Sequence, residues 1–309
     1  MSAQVNVTYI TLDGHVDVDS YRYLYFVVMF AAYILIICCN GTIVCVIVTQ
    51  QNLHEPMYVL VAALLFNSLL LSTNIYPKLL LDFLSEQQII SYSACLFQCF
   101  LYYSLSGSEF LLLSAMAYDR YVSICKPLQY QTIMSRSTVC VLLLCAWLLP
   151  VCQTAAPVIA RIHNKLCTFS LNGILCNNSV HNLYCVTSRV LSIYGVVVLI
   201  DLVIVPMFFI LFTYTNILII SYRSSKSVRT KAAQTCLPHL LVLINYSCLI
   251  TYDVTIVKLD SDLPKLARFV MTLQMLVYNP LFNPIIYGLK MKEIYKHLRR
   301  LFCRIKVNG

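Results

Sequence analysis

Apolar residues come in long unbroken runs along this chain, and polar residues collect in the short joins between them. Seven runs, near 24–49, 57–80, 93–125, 138–158, 190–222, 235–257 and 267–288, reach the roughly 20 residues that a helix needs to cross a hydrocarbon core. Barrel strands would be shorter and would alternate apolar with polar positions, so the pattern predicts an all-α fold. The architecture expected is a seven-transmembrane helix bundle with a short amphipathic cytoplasmic helix after the seventh span. Composition supports a lipid environment: 60% of the 309 residues are hydrophobic, 11% are charged and the mean hydropathy is +0.76. No basic leader precedes the first run, which therefore reads as a span and not as a cleaved signal peptide. The predicted organisation is an extracellular amino tail over 1–23, a seven-helix domain over 24–288, and a cytoplasmic amphipathic helix and tail over 289–309.

Charge orients the bundle. With the amino end outside, Arg120, Lys126 and Arg136, then Arg223, Lys226, Arg229 and Lys231, then the basic residues from Lys290 onward all face the cytoplasm. Asp13, Asp17, Asp19, Asp82, Glu86, Asp260 and Asp262 fall on the other side. The net charge of +9 is thus a topology signal rather than a nucleic-acid footprint. Asn6-Val7-Thr8 is a glycosylation sequon in the amino tail and Asn177-Asn178-Ser179 another after the fourth span; those at Asn40 and Asn245 fall inside spans and read as chance. Most of the fifteen cysteines sit in apolar runs, where the residue is a small hydrophobe. Cys95, Cys167, Cys176 and Cys185 lie on the outer side, where disulfides persist, but spacing alone leaves their connectivity open.

Ionisable groups inside the spans are costly and therefore point to function. On a helical projection Tyr102, Ser106, Glu109, Leu113, Met116 and Arg120 of the third span share one face, which must turn into the bundle. Glu109 on that face should be protonated or partnered, by a cation or by hydroxyls such as Ser68 and Ser72. The competing reading is a buried polar group that only fixes helix packing. At the inner end, Asp119 and Arg120 with Tyr121 lie just before Pro127, and a guanidinium there can change partners when helices move. In the last span Pro280 and Pro284 each remove a backbone donor, while Asn283 and Tyr287 place polar groups beside the loosened turn. Beyond Gly288, Ile294, Leu298, Leu301 and Phe302 oppose Lys292, Lys296, Arg299 and Arg300, an amphipathic helix for the inner leaflet. Cys303 beside it is a candidate for palmitate. His239 of the sixth span reads either as a core histidine or as a switch.

The strings "PMY" at Pro56 to Tyr58, "MAYDRYVSICKPLQY" at Met116 to Tyr130, "KAAQTC" with His239, and "NPIIYG" at Asn283 to Gly288 resemble the odorant receptors, a branch of the rhodopsin-like (class A) G-protein-coupled receptors. The wording, including "LHEPMY", is most similar to fish-type members. The resemblance implies a disulfide from Cys95 to Cys176 and another from Cys167 to Cys185. It makes Asp119, Arg120 and Tyr121 the activation switch, with Tyr214, His239, Tyr246, Asn283, Pro284 and Tyr287 rearranging around it. The implied partners are a small-molecule odorant, a heterotrimeric G protein of the stimulatory, olfactory type, and the lipid bilayer, with no cofactor and no nucleic acid. The implied location is the plasma membrane of an olfactory sensory neuron. Two departures stand out. The second-span aspartate of the family falls at Ser68, so a sodium site built on Glu109 has lost one carboxylate. Asn40 also precedes Gly41, inverting the usual order.

By family position the ligand pocket is formed by Tyr102, Tyr103, Ser106 and Gly107, by Val198, Leu199 and Leu202, by Leu249, Ile250 and Asp253, and by Leu273 and Val277. The set is apolar and aromatic, as expected for a small-ligand cavity, apart from Asp253. That carboxylate either selects a cationic ligand or pairs at the helix end with Lys258 or Arg268, which dose responses of Asp253→Asn to amines and neutral odorants decide. Other functional classes fit less well. No His-Glu-x-x-His or Gly-x-Ser-x-Gly string is present for an enzyme. No internal repeat, charge relay or ring suggests a transporter or channel, and no lysine sits mid-way along the last span to hold retinal.

Overall fold

The computed structural model describes residues 8–162, 164–186, 188–222, 236–237, 240–244, 246–248, 250, 264–291 and 293–300. Helices α1 (Val18–Thr49), α2 (Pro56–Leu84), α3 (Tyr92–Cys125), α4 (Arg136–Arg161), α5 (Arg189–Tyr222), α6 (residues 236–250, described in part) and α7 (Lys265–Lys290) form the bundle. Residues 293–300 add a short α8. Five of these helices, α1, α2, α4, α5 and α7, are long and apolar enough to cross a membrane. α3 is just as long but carries its serines and Glu109 on buried faces, so its polarity is directed at other helices and not at lipid.

Local sequence explains the helix ends. Ser91 and Ser135 cap α3 and α4 by accepting hydrogen bonds from the backbone N–H groups of Ala94 and Thr138. Pro56 opens α2, where its missing N–H costs nothing. Inside α5, Pro206 follows directly on a π-helical turn at Ile200–Ile204, the local unwinding expected where a helix bond is lost. The outward face of α5 is apolar, with Phe208 68% and Phe212 66% exposed, a surface made for lipid tails.

Two corrections to the expected organisation concern the outer end. α1 begins at Val18, so the tail expected over 1–23 ends six residues earlier. The tail is also not a plain one: Tyr9–Leu12 is strand β1, the centre of a three-stranded sheet. It pairs antiparallel with β2 (Ile89–Ser91), between α2 and α3, and parallel with β3 (Ser170–Leu171), between α4 and α5. Ile10 and Leu12 point inward and Tyr9 and Thr11 outward, the period of a half-buried strand. Asp17, at φ 46°, turns the chain from this sheet into α1, a left-handed conformation that Asp tolerates better than most residues. Asp82, placed on the outer side by the charge pattern, lies buried near the outer end of α2 and pairs with Lys78.

The core divides by depth. An inner cluster joins all seven helices, α4 through Ala146, and takes in Ile294 of α8, which is wholly buried. An outer cluster packs α1, α2, α3 and α7 beneath Ile174 and Leu175 of the α4–α5 loop. Polar stitches hold α3 in the middle. Asn67 donates to the Leu105 carbonyl at 2.9 Å and accepts from the Trp147 indole at 3.3 Å, and the Ser104 and Thr154 hydroxyls meet at 2.6 Å.

Candidate functional site

The predicted stripe of α3 is buried from Tyr102 through Met116, and Arg120 at its end is half-buried. At its centre Glu109 has no exposed surface. Asn279 Nδ2 donates to both carboxylate oxygens at 3.1 Å, and Asn283 Nδ2 donates to Oε1 at 3.0 Å and to Ser68 Oγ at 3.2 Å. The Tyr246 hydroxyl completes the ring, its single hydrogen shared between the carboxylate and the Ser106 carbonyl at 3.2 Å. One carboxylate thus ties α3 to α6 and α7, and through Asn283 to α2.

This corrects the expected partners. Ser68 and Ser72 donate to the carbonyls of Leu64 and Ser68, one turn back in their own helix, and neither reaches Glu109. The carboxylate accepts from the amide N–H groups of Asn279 and Asn283. Among the described residues no cluster of histidine, cysteine and carboxylate side chains could hold a metal.

At the inner end Asp119 is buried and accepts a hydrogen bond from the Tyr130 hydroxyl at 2.8 Å. Burial, and then the Asp119 charge, push the Tyr130 phenol above its usual range. Asp119 and Arg120, adjacent in sequence, form no ion pair with each other, and Arg120 Nε is buried without a hydrogen-bond partner. Neighbours one residue apart on a helix diverge by about 100°, which is why the pair cannot face itself. Tyr214 and Tyr287 lie in the inner cluster with Tyr246, while Tyr121 packs beside Val122, Met134 and Val139. Pro284 is buried within α7. His239 lies outside the described residues, as do Asn6 and Cys303.

The outer half holds a cavity of about 20 Å³. Tyr102 and Ser106 line it as predicted, but the other walls come from Leu71, Ser72, Ile75 and Tyr76 of α2, Tyr246 of α6, and Met275, Leu276, Asn279 and Pro280 of α7. The α5 residues do not reach it. Gly107 is occupied by helix packing instead: a Cβ there would stand 2.9 Å from the Leu202 side chain and 3.1 Å from that of Pro150. Tyr103 is committed to the outer loop, its hydroxyl accepting the Asn178 N–H at 2.8 Å. Val198 and Leu199 are half-buried on α5, Ile250 is buried in the inner cluster, and Leu273 and Val277 pack at the edge of the outer one. Leu249 and Asp253 lie outside the described residues. The lining residues not anticipated from sequence, Tyr76 and Asn279 above all, look like ordinary helix polar groups until the helices are assembled.

Above the cavity, disulfides join Cys95 to Cys176 and Cys167 to Cys185. Beside them Arg161, 8% exposed at the end of α4, meets His181 Nε2 at 3.0 Å. Burial, with the guanidinium second, brings the His181 pKa down to about 4, so the ring is a neutral acceptor. On the other flank His15 stacks edge-on to Phe83 and sets Nδ1 3.2 Å from the Leu12 carbonyl. Burial lowers its pKa to about 4 as well.

Comparison with known proteins agrees with this architecture. The sequence model described as "Olfactory receptor" matches residues 29–305. Human olfactory receptor 11A1 is 33% identical over 301 residues, covering 96% of this chain and 94% of that protein. Mouse olfactory receptor 5H19 is 34% identical, covering 90% and 91%. The crystal structure of squid rhodopsin superposes with a TM-score of 0.72 over 93% of this chain and 87% of its own; at 16% identity that likeness concerns the fold alone.

Proposed function

The chain belongs to the olfactory receptor family, and from that premise we propose that it binds an odorant in the outer half of the bundle and activates a stimulatory, olfactory-type G protein at the Arg120 end. It is a multi-pass membrane receptor of rhodopsin-like fold, not an enzyme. The observation that carries the proposal is the single buried stripe of α3. It begins at the cavity with Tyr102 and Ser106, passes the Glu109 node that links four helices, and ends at Arg120, next in sequence to Asp119. A shift of α6 or α7 at the cavity must break or redirect bonds to Glu109, and the same two helices approach Arg120 through Cys236 and Tyr287, with Tyr214 of α5 beside them.

In this reading the amino tail, with Asn6 glycosylated, is extracellular, the bundle from Val18 to Gly288 is the receptor domain, and 289–309 lies along the inner leaflet of the plasma membrane of an olfactory neuron. Both disulfides lie on the amino-tail side, and 14 of the 22 Lys and Arg residues fall in the joins and tail assigned to the other side, which supports that orientation. Co-expression with a stimulatory G protein and a cyclic-nucleotide reporter tests the proposal. Arg120→Ala should abolish the signal while leaving surface expression intact. A membrane current without G protein would instead identify a channel.

A further inference from the structure

α5 carries an acidic residue on a surface otherwise made for lipid tails. Its neighbour Leu202 packs against Gly107 of α3, so closely that a Cβ on that glycine would stand 2.9 Å from the Leu202 side chain. Gly107 lies about 18 Å along α3 from Cys95, whose disulfide marks the outer end, and this level is therefore near the middle of a hydrocarbon core roughly 30 Å thick. Asp201 precedes Leu202 within the π-helical turn Ile200–Ile204. Consecutive residues of a helix point in different directions, so Asp201 turns away from α3 and is exposed.

An acidic side chain at this depth is costly, and with a single methylene it cannot snorkel to the interface as Lys and Arg do. Among the described residues no cation meets it. Its hydrogen-bond donor is Gln153 of α4, whose Nε2 stands 3.5 Å from Oδ2, longer than the usual range of about 2.7–3.2 Å. Gln153 itself is fixed in place. The Tyr194 hydroxyl donates to its backbone carbonyl at 2.9 Å, and its Oε1 is buried, which leaves Nε2 on the open side of the α4–α5 seam. The rest of the seam is apolar: Leu149 of α4 and Val197, Ile204 and Phe208 of α5, one or two turns from the pair, are all exposed.

One face thus presents an under-satisfied acceptor beside a donor that has a second hydrogen to give. A second copy in the same membrane, related by a two-fold axis along the membrane normal, keeps every residue at its own depth. Asp201 and Gln153 touch and so lie at one level, and across such an axis each carboxylate meets the amide of the other copy. A partner helix offering only a cation would satisfy Asp201 and leave the Gln153 amide unused. We propose that the α4–α5 face is the interface of a parallel homodimer, closed in mid-membrane by reciprocal Asp201–Gln153 hydrogen bonds between the two copies. Apolar helix faces gain little by leaving lipid for one another, whereas interhelical hydrogen bonds hold membrane helices together. The interface goes beyond the receptor reading and needs neither odorant nor G protein.

Full-length receptor with one fluorophore per chain, reconstituted in phosphatidylcholine vesicles over a range of protein-to-lipid ratios, provides the test through photobleaching steps. Two-step spots should rise with density above the level of chance coincidence. Asp201→Leu exchanges one lipid-facing group for another and should raise the density needed for pairing about tenfold, for two lost interhelical bonds. Gln153→Met, which keeps the side chain's length, should do the same, and the double variant should lose no more than either single one, because all three remove the same two bonds. Asp201→Asn keeps an acceptor and should pair like the unmodified receptor. Oxidation with copper phenanthroline reads the face: Cys145 and Cys152, both exposed on α4, should cross-link between copies, and replacing both with Ser should abolish the product, while the equally exposed Cys38 and Cys45 of α1 should not contribute. Single steps at every density, pairing unchanged in Asp201→Leu, a roughly hundredfold loss in the double variant, or cross-linking through α1 overturns the interface. A receptor that stays single yet captures a polyleucine peptide with one central lysine, and loses it in Asp201→Leu, overturns the dimer and assigns the face to a cationic helix.

Discussion

The two ends of the bundle are held by different means. At the outer end, two disulfides, a three-stranded sheet and the buried Arg161–His181 contact fasten the amino tail and two loops to each other. At the inner end, the segment after α3 is tied to Asp119 by one neutral donor, Tyr130, and Arg120 keeps a buried N–H unsatisfied. Covalent and sheet contacts fix one geometry. A single hydrogen bond worth about 1 kcal/mol is of the size that a binding event can overturn. A receptor needs this asymmetry, with a firm frame around the ligand and a loosely held latch where the partner docks.

Cutting the covalent staples should break the contrast most severely. Cys95→Ser removes a link closing 81 residues and should cost about 3–4 kcal/mol, read as loss of receptor from the cell surface. Cys167→Ser opens a link of only 18 residues and should be milder by about 1 kcal/mol, because closing a short loop removes less chain entropy. Acid comes next. His15 and His181 have pKa values near 4 in the folded state against 6.5 for a free imidazole. Protonation therefore favours the released form: the stability these rings contribute is complete above pH 6.5 and falls as pH drops toward 4. At pH 5 the loss is about 2 kcal/mol per ring. Protease cleavage of the amino tail should rise over that window, and His15→Leu should flatten the rise. The smallest effect is the most informative about the latch. Tyr130→Phe removes one hydrogen bond and should raise basal signalling about fivefold in the reporter assay, with tail proteolysis unchanged.

Individual residues show how far sequence reasoning reaches. The α3 stripe was legible because a helix of 3.6 residues per turn repeats its faces regardless of its neighbours. The odorant-receptor strings carried the two disulfide pairings and the family. The alternation of Tyr9, Ile10, Thr11 and Leu12 was a readable strand signal that went unread among longer helical runs. Glu109 stands out in the sequence as an intramembrane carboxylate on the inward face, but its partners do not. Ser68 and Ser72 lie at plausible depth, yet serines in a helix readily bond the carbonyl one turn back, which leaves the carboxylate to the longer amides of Asn279 and Asn283. Gly107 falls among the pocket positions by family but admits Pro150 and Leu202, because a residue without a Cβ suits a close helix crossing.

Hydropathy, helical period and motif strings, all properties of neighbouring residues in one chain, determined that this protein is a seven-helix membrane receptor of the olfactory family with an inward-facing α3. Which side of the bundle opens into a cavity, which amide meets Glu109, and that Tyr76 and Asn40 make good the hydrogen bonds withheld by two prolines were decided only by the tertiary structure. Those contacts span 170 to 240 residues of sequence, and they depend on how each helix is rotated and shifted against the next. Periodicity determines a helix's faces, but only the packed bundle determines what each face meets.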